Sequence, residues 1–328
     1  MLKDKLKSDV IMLPCCFFPT RAAFVSETPG VNDQLTSELN VEFLAFNHSV
    51  EAFDFLKAYR PQIIENRWLE RGGDNSDNIS YKNYLNSYNP LIQFNIDANN
   101  IRDISRNPLS TQDISVFVVD YSMPSLNGLE LLTKLSDKPF KTILLIDNNS
   151  AELALAQDVM KKKLINGFLT KGEENISGKL NGLIQQLQKN YFQDLSKETS
   201  EILMLDNPLF SDKEIIDYFY GVLKQTQFQE FYLINLQGNF LMINADNQKK
   251  YFCAYTQEQL NVFADYANAD GKSSDISQIL KQGKQIPFFG EGKSYQDLLI
   301  TQWQNCLYNT DVEIQTSHYK FFTATMDG

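Results

Sequence analysis

The sequence predicts an α/β chain in which a five-stranded, doubly wound parallel sheet with a long insertion is followed by an α+β domain with antiparallel strands. Three observations carry this. Short β-branched and aromatic runs alternate with segments of helical periodicity over the first 195 residues. Several of those runs stop at a charged or hydroxyl residue, and an open parallel sheet gathers its ligand-binding groups beyond the carboxyl ends of its strands. After residue 196 the composition shifts, and two apolar runs flank Gln237-Gly238-Asn239, a hairpin signal.

In chain order, residues 22–25 (A-A-F-V) read as a buried strand ending at Ser26-Glu27, followed by a helix over 31–39. Residues 41–46 alternate like a second strand, and 49–58 are amphipathic through Val50, Phe53 and Leu56. The third run, Val116 to Val119, stops at Asp120; Ser122-Met123-Pro124 must turn the chain, and Leu129, Leu131, Leu132 and Leu135 form a stripe that packs back on the sheet. Residues 142–146 give a fourth strand ahead of Asp147, with a helix over 151–163. Residues 165–170 give a fifth strand ahead of Lys171-Gly172, with a helix marked by Ile176, Leu180, Leu183, Ile184, Leu187 and Tyr191. Right-handed crossovers then make the sheet parallel.

Between 61 and 112 the alternation fails: Gly72-Gly73, many Asn and Tyr, and prolines at 90 and 108 mark an insertion, whose aromatics Trp68, Tyr81, Tyr84, Tyr88 and Phe94 imply partial packing. The domain reading is 13–195 for the parallel-sheet domain with that insertion, 196–210 for a linker, and 211–328 for the second domain. In the latter, Ser211 to Glu214 reads as a capping box opening a helix, and strands fall at 231–234, 240–243 and 251–255. Helices follow at 256–267 and 275–281, and 312–325 form a last hairpin through Ser317-His318.

A formal net charge of -11 and the lack of any arginine after Arg106 argue against direct nucleic-acid binding, which needs Lys and Arg presented together. Four cysteines, two of them adjacent, make no disulfide framework, and two histidines make no zinc site with them. The apolar run 10–18 is interrupted by Pro14 and too short to span a bilayer. A cytoplasmic protein that does not enter a membrane is expected.

The carboxyl ends of strands one, three, four and five carry Glu27, Asp120, Asp147 and Lys171, which should converge on one edge. Oxygens clustered there can hold Mg²⁺, an aspartate there can accept a phosphoryl group, and a lysine can pair with phosphoryl oxygens. The run D-Y-S-M-P-S-L-N-G-L-E-L-L from Asp120 resembles the core signature of the receiver domain of two-component response regulators. The similarity covers about residues 21–187 without the insertion.

That resemblance implies a CheY-like, flavodoxin-like fold, phosphoryl transfer from a sensor histidine kinase to Asp120, and Lys171 pairing with the phosphoryl group. It implies Mg²⁺ held by Asp120, Glu27 and the Ser122 carbonyl, with Phe168 at an aromatic switch position. It further implies homodimerisation on phosphorylation, a downstream protein partner, and at most self-phosphorylation and self-dephosphorylation as enzymatic activity. Three positions depart from the family pattern: Ser26 stands where a second acid is usual, Asp147 where a Thr or Ser is usual, and Gly172 where a proline is usual. The run F-Y-L-I-N-L-Q-G-N-F-L-M-I-N from Phe231, with Ile286-Pro287-Phe288-Phe289, is similar to uncharacterised carboxyl-terminal regions of some proteobacterial regulators, which implies a quorum-sensing setting.

Two alternatives stay open: a receiver-like interaction module that takes no phosphate, and an output domain that binds nucleotide. The second is raised by Phe289-Gly290-Glu291-Gly292-Lys293-Ser294, which ends like a phosphate-binding loop but has Pro287 where the leading glycine belongs. His318 beside Tyr319 reads as structural or solvated.

Overall fold

The structure is a computed structural model that describes residues 12–36, 39–63, 68–71, 80–82, 93–269, 274–291, 293 and 295–328. The chain forms two compact units, one from Pro19–Ile64 and Pro108–Leu195, the other from the described residues of Met1–Phe18, Glu65–Asn107 and Ser196–Gly328.

The first unit holds the parallel sheet: β1 (Arg21–Val25), β2 (Phe43–Phe46), β3 (Ile114–Asp120), β4 (Lys141–Ile146) and β5 (Gly167–Thr170), in the order β2-β1-β3-β4-β5 with every neighbour parallel. This is the doubly wound order whose switch point falls between β1 and β3. The helices between strands are α1 (Val31–Thr36), α2 (Ser49–Ala58), α3 (Gly128–Lys134), α4 (Ser150–Lys161) and α5 (Ile176–Leu195).

Period-two alternation along the strands divides the core. Ala23, Val25, Phe117, Val119, Leu144 and Ile146 face Ala52 and Leu56 of α2, Leu131 and Leu132 of α3, and Ala156 and Val159 of α4. Their neighbours Ala22, Phe24, Val116, Val118, Ile143 and Leu145 face Leu35 of α1 and Leu180, Ile184 and Leu187 of α5. All seven residues of β3 are buried, as a central strand covered on both faces must be. Each such Val, Leu or Phe contributes roughly 1.5–3 kcal/mol by leaving water.

The insertion carries secondary structure of its own. Its described residues include three short strands, Leu69–Arg71, Gln93–Ile96 and Ser80–Lys82, which form an antiparallel sheet of their own, and a helix, Ala98–Asp103. They belong with the second unit because their apolar groups are buried there: Trp68 is 1% exposed with its indole N–H donating to Thr199 Oγ1 at 3.2 Å, and Ala98–Asp103 packs on the strand Phe228–Leu233. Tyr84 and Tyr88 lie outside the described residues. Of the segment expected as a linker, Lys197–Leu203 is a helix with Thr199, Ser200, Ile202 and Leu203 buried.

The second unit is built on a six-stranded antiparallel sheet in the order Cys16–Phe17, Phe228–Leu233, Phe240–Asn244, Lys249–Thr256, Lys320–Asp327, Val312–Gln315. Residues 13–18, expected in the parallel-sheet domain, therefore supply an edge strand here instead. Phe219 of the helix Lys213–Gln225 seats against Phe231, Phe240 and Phe252 with ring centroids 5.1, 5.1 and 4.8 Å away. That helix is capped by Asp212, whose carboxylate accepts from Glu214 N and Ile215 N, in place of the capping box expected from Ser211. Ser211 closes the preceding turn Pro208–Phe210, and Glu214 is turned to Ser317.

The nucleotide-loop reading finds no support in the local backbone. Gly292 and Ser294 lie outside the described residues, the following element is a single 3₁₀ turn, Tyr295–Asp297, and Glu291 accepts the Tyr251 hydroxyl proton at 2.7 Å. A phosphate loop instead opens an α-helix whose first amides point at the ligand.

Where the chain leaves and re-enters the first unit, one buried carboxylate fixes both ends. Asp113, 1% exposed, accepts from the Tyr59 hydroxyl at 3.0 Å, Gln62 N at 2.7 Å and Ile63 N at 3.0 Å, while Tyr59 Oη accepts from Ile114 N at 2.9 Å. Burial, then the charge of Asp113, push the Tyr59 phenol well above its usual pKa. Asp113→Ala strands these donors and is expected to lower stability by about 3 kcal/mol in urea denaturation of the full chain. A loss too small to resolve would show that water replaces the carboxylate.

Candidate functional site

Asp120 ends β3 at the switch point, and its carboxylate is fully buried. Such a charge needs partners. Oδ2 accepts the Ser26 hydroxyl proton at 2.7 Å from the end of β1, and Oδ1 accepts from Ser122 N at 3.0 Å. The Lys171 ammonium, carried past the end of β5, lies 2.6 Å from Oδ1 and 3.1 Å from Asp147 Oδ1. Burial lowers the Lys171 pKa, but bonding and charge from Asp120 and then from Asp147 outweigh it and hold the ammonium above its usual value.

The turn that follows is tight for a stated reason. Gly128 N donates to Tyr121 O at 3.1 Å, and a Cβ at residue 128 would sit 2.5 Å from Asp120 O and 3.0 Å from Tyr121 Cα. Only glycine lets α3 start against the strand end. Asn127 caps the helix through Glu130 N.

The sequence-predicted residues separate into two groups. Asp120, Lys171, Ser26, Ser122 and Asp147 are joined by the bonds above, with Ser122 Oγ also donating to Asp147 Oδ2 at 3.2 Å. Glu27 is directed elsewhere: Oε1 accepts from Ser49 N at 2.9 Å and Ser49 Oγ at 2.6 Å, and Oε2 accepts from Ser125 N at 3.1 Å. Burial pushes its pKa up, yet these bonds from Ser49 and Ser125 prevail and bring it down to about 2. Phe168 is half-buried on β5 and packs against the core face shared with α3 and α4.

Glu152 is the participant the sequence reading missed. Its Oε2 accepts from Asp147 N at 2.7 Å and its Oε1 from the Ser122 hydroxyl at 3.4 Å, while Glu152 N is held by the Asn149 side chain at 2.9 Å. The signal was present as Asn149-x-x-Glu152, the spacing of a helix start in which an acid reaches back.

The carboxylates do not assemble into a cation cage. Among the described residues there is no group of three or more His, Cys, Asp or Glu side chains that could hold a metal. Glu27 spends both oxygens on Ser49 and Ser125, and Lys171 occupies Asp120 Oδ1. Mg²⁺ bound by Glu27, Asp120 and the Ser122 carbonyl does not fit this arrangement.

Removing Lys171 leaves a fully buried carboxylate without its cation. Lys171→Met is expected to lower stability by about 3 kcal/mol, and Asp120→Asn combined with Lys171→Met to restore most of it. The pair's contribution is complete below the ordinary lysine value of 10.5 and is lost as pH rises through the higher folded value. That of Glu27 is complete above 4.5 and is lost as pH falls through about 2. Denaturant titrations across pH check both signs, and equal losses for the single and double variants would dissolve the pairing.

No family model matches the sequence, and no curated protein matches it significantly. Solved structures do. The Legionella pneumophila response regulator LqsR is similar over 98% of this chain and 91% of its own, at 23% identity and a TM-score of 0.75. An adenylate cyclase from Rhodopirellula baltica (17% identity, TM-score 0.36, 55% of this chain and 96% of that one) also matches. So does a CheY-like response regulator receiver domain protein from Methanospirillum hungatei JF-1 (12%, 0.33, 54% and 98%). The chain has the fold of the Legionella response regulator along nearly its whole length, with a five-stranded parallel sheet and an antiparallel second unit.

Proposed function

We propose that this chain is a response regulator of a two-component system, in which Asp120 accepts a phosphoryl group from the phosphohistidine of a sensor kinase. The observation that carries the reading is the Lys171 ammonium 2.6 Å from a fully buried aspartate at the sheet's switch point. In the transfer, a carboxylate oxygen of Asp120 attacks phosphorus. The O–P bond forms as the P–N bond to the donor imidazole breaks, and the imidazole nitrogen keeps the bonding pair and takes a proton. Lys171 then moves its charge from the carboxylate to the phosphoryl oxygens, and Ser122 N remains a donor beside it.

The added charge, close to two units at neutral pH, pulls Lys171 away from Asp147 and bears on the Phe168 surface of β5. Signal leaves through dimerisation or altered protein contacts of the acidic second unit. The family resemblance also implies Mg²⁺, but Glu27 would have to leave Ser49 and Ser125 to reach it.

Asp147 favours a second reading, a receiver-like interaction module that is not phosphorylated. Its carboxylate shares Lys171 at 3.1 Å, so an incoming phosphoryl group meets a negative charge where a hydroxyl would help. Incubation with a small phosphodonor, with and without Mg²⁺, and intact mass measurement separate the two. Wild type is expected to gain one phosphoryl group, Asp120→Asn none, and Asp147→Thr to gain it faster. Light scattering should then report a doubled mass. A wild type without an Asp120-dependent adduct overturns the phosphorylation reading and leaves the module.

A further inference from the structure

A cavity in the parallel-sheet unit takes no part in the site above. It has a volume of about 400 Å³, within the range of small-molecule sites, and lies among α3, the start of β4 and the carboxyl end of α4. Leu129, Leu132, Leu135, Phe140, Val159 and Leu164 make its apolar wall, with Leu164 54% exposed at the mouth. In a chain of net charge -11, the charged residues lining it are both lysines, Lys138 and Lys163, and no acid is among them.

The lysines differ in what they can still do. Lys138 Nζ donates to the carbonyls of Lys57 and Tyr59 at 2.8 and 3.1 Å. Lys163 makes no ion pair among the described residues, although its neighbour Lys162 pairs with Asp158 at 2.6 Å. The polar groups nearby are largely satisfied by one another: the Thr133 hydroxyl donates to Leu129 O, and Asn166 Oδ1 accepts from Thr142 N and its hydroxyl. Lys163, itself exposed, therefore brings to the rim of a mostly apolar cavity a charge that has no ion-pair partner among the described residues.

The backbone at Lys163 makes a second, independent point. Lys163 N donates to Met160 O at 2.9 Å and Leu164 N to Val159 O at 3.0 Å, the paired bonds of a Schellman helix end. Lys163 itself takes φ 59°, the left-handed conformation in which glycine is usual and a long side chain is strained. Of the three other described non-glycine residues at positive φ, two are asparagines, which tolerate it better. Lysine stands where glycine would be more stable, and its position is the rim of the cavity.

We infer that this cavity is a binding site for a short aliphatic carboxylate, with the tail against the α3 and α4 leucines and valine and the headgroup on the Lys163 ammonium. Such a ligand matches both features: an apolar tail gains by leaving water, and the carboxylate supplies the charge that no lining residue provides. The site shares α3 with Asp120, since Leu129 and Leu132 line it and Gly128 abuts the acceptor strand.

Sodium octanoate and neutral 1-octanol are titrated calorimetrically into the full chain and into Lys163→Gly and Thr133→Trp, the latter filling the mouth from an exposed position. Octanoate is expected to saturate wild type with Kd at or below about 1 mM. Lys163→Gly should raise the melting temperature by about 2–4 °C, weaken octanoate by about fivefold, the effect of one ion pair near a surface, and leave octanol unchanged. Thr133→Trp should abolish both titrations. The inference is overturned if octanoate does not saturate the wild type, if Lys163→Gly binds it equally well, or if that variant melts lower.

Discussion

A carboxylate removed from water has to be compensated, and the compensation of Asp120 organises the carboxyl edge of the parallel sheet. Its partners come from three different strands: Ser26 beyond β1, Ser122 beyond β3 and Lys171 beyond β5. Those strands meet at one edge only because the order is β2-β1-β3-β4-β5 with every pair parallel. The order in turn rests on strands buried on both faces, with α1 and α5 covering one side and α2, α3 and α4 the other. A fault in any of these layers displaces a partner of the same aspartate, so the fold and the site stand or fall together.

The way the edge is wired differs from a simple cluster of acids. Glu27 adjoins Ser26 in sequence, yet it serves the start of α2 and the turn after Asp120, where its negative charge meets backbone amides. Asp147 and Glu152 both accept from the Ser122 hydroxyl, linking the β4 end to the turn after β3. Lys171 is thus the shared cation of two carboxylates, and displacing it from one alters its hold on the other.

The sequence was most informative where physical periodicity is strong. Runs such as 116–119 and 142–146 are buried on both faces and leave little doubt of strand, and the helical stripe at Leu131 and Leu132 survives intact. Asp120 and Lys171 follow from those strand ends. The direction of Glu27 did not, because nothing in Ser26-Glu27 distinguishes an acid facing its neighbour aspartate from one turned to the amide of Ser49, 22 residues on. What the insertion packs against was not legible for a related reason. Trp68 and the helix Ala98–Asp103 carry short apolar patterns whose partner surface lies more than 100 residues away in sequence, at Thr199 and the strand Phe228–Leu233. Local patterning reports that such residues are buried, and it does not report against what.

The division of the chain has a consequence for how the protein is made. The chain passes from one unit to the other at four points, after Phe18, Ile64, Asn107 and Leu195, and Asp113 clamps the two middle passages through Tyr59, Gln62 and Ile63. Neither unit is a contiguous stretch of sequence. On the ribosome the parallel sheet has all its strands once residue 170 has emerged, whereas the antiparallel sheet waits for Lys320–Asp327, whose strand pairs with Lys249–Thr256. The insertion and the first edge strand are therefore synthesised long before the surface that buries them, which leaves their apolar residues uncovered until then. A single cut after Phe18 or after Leu195 leaves the parallel-sheet unit whole but divides the antiparallel one, so the second unit needs both ends of the chain.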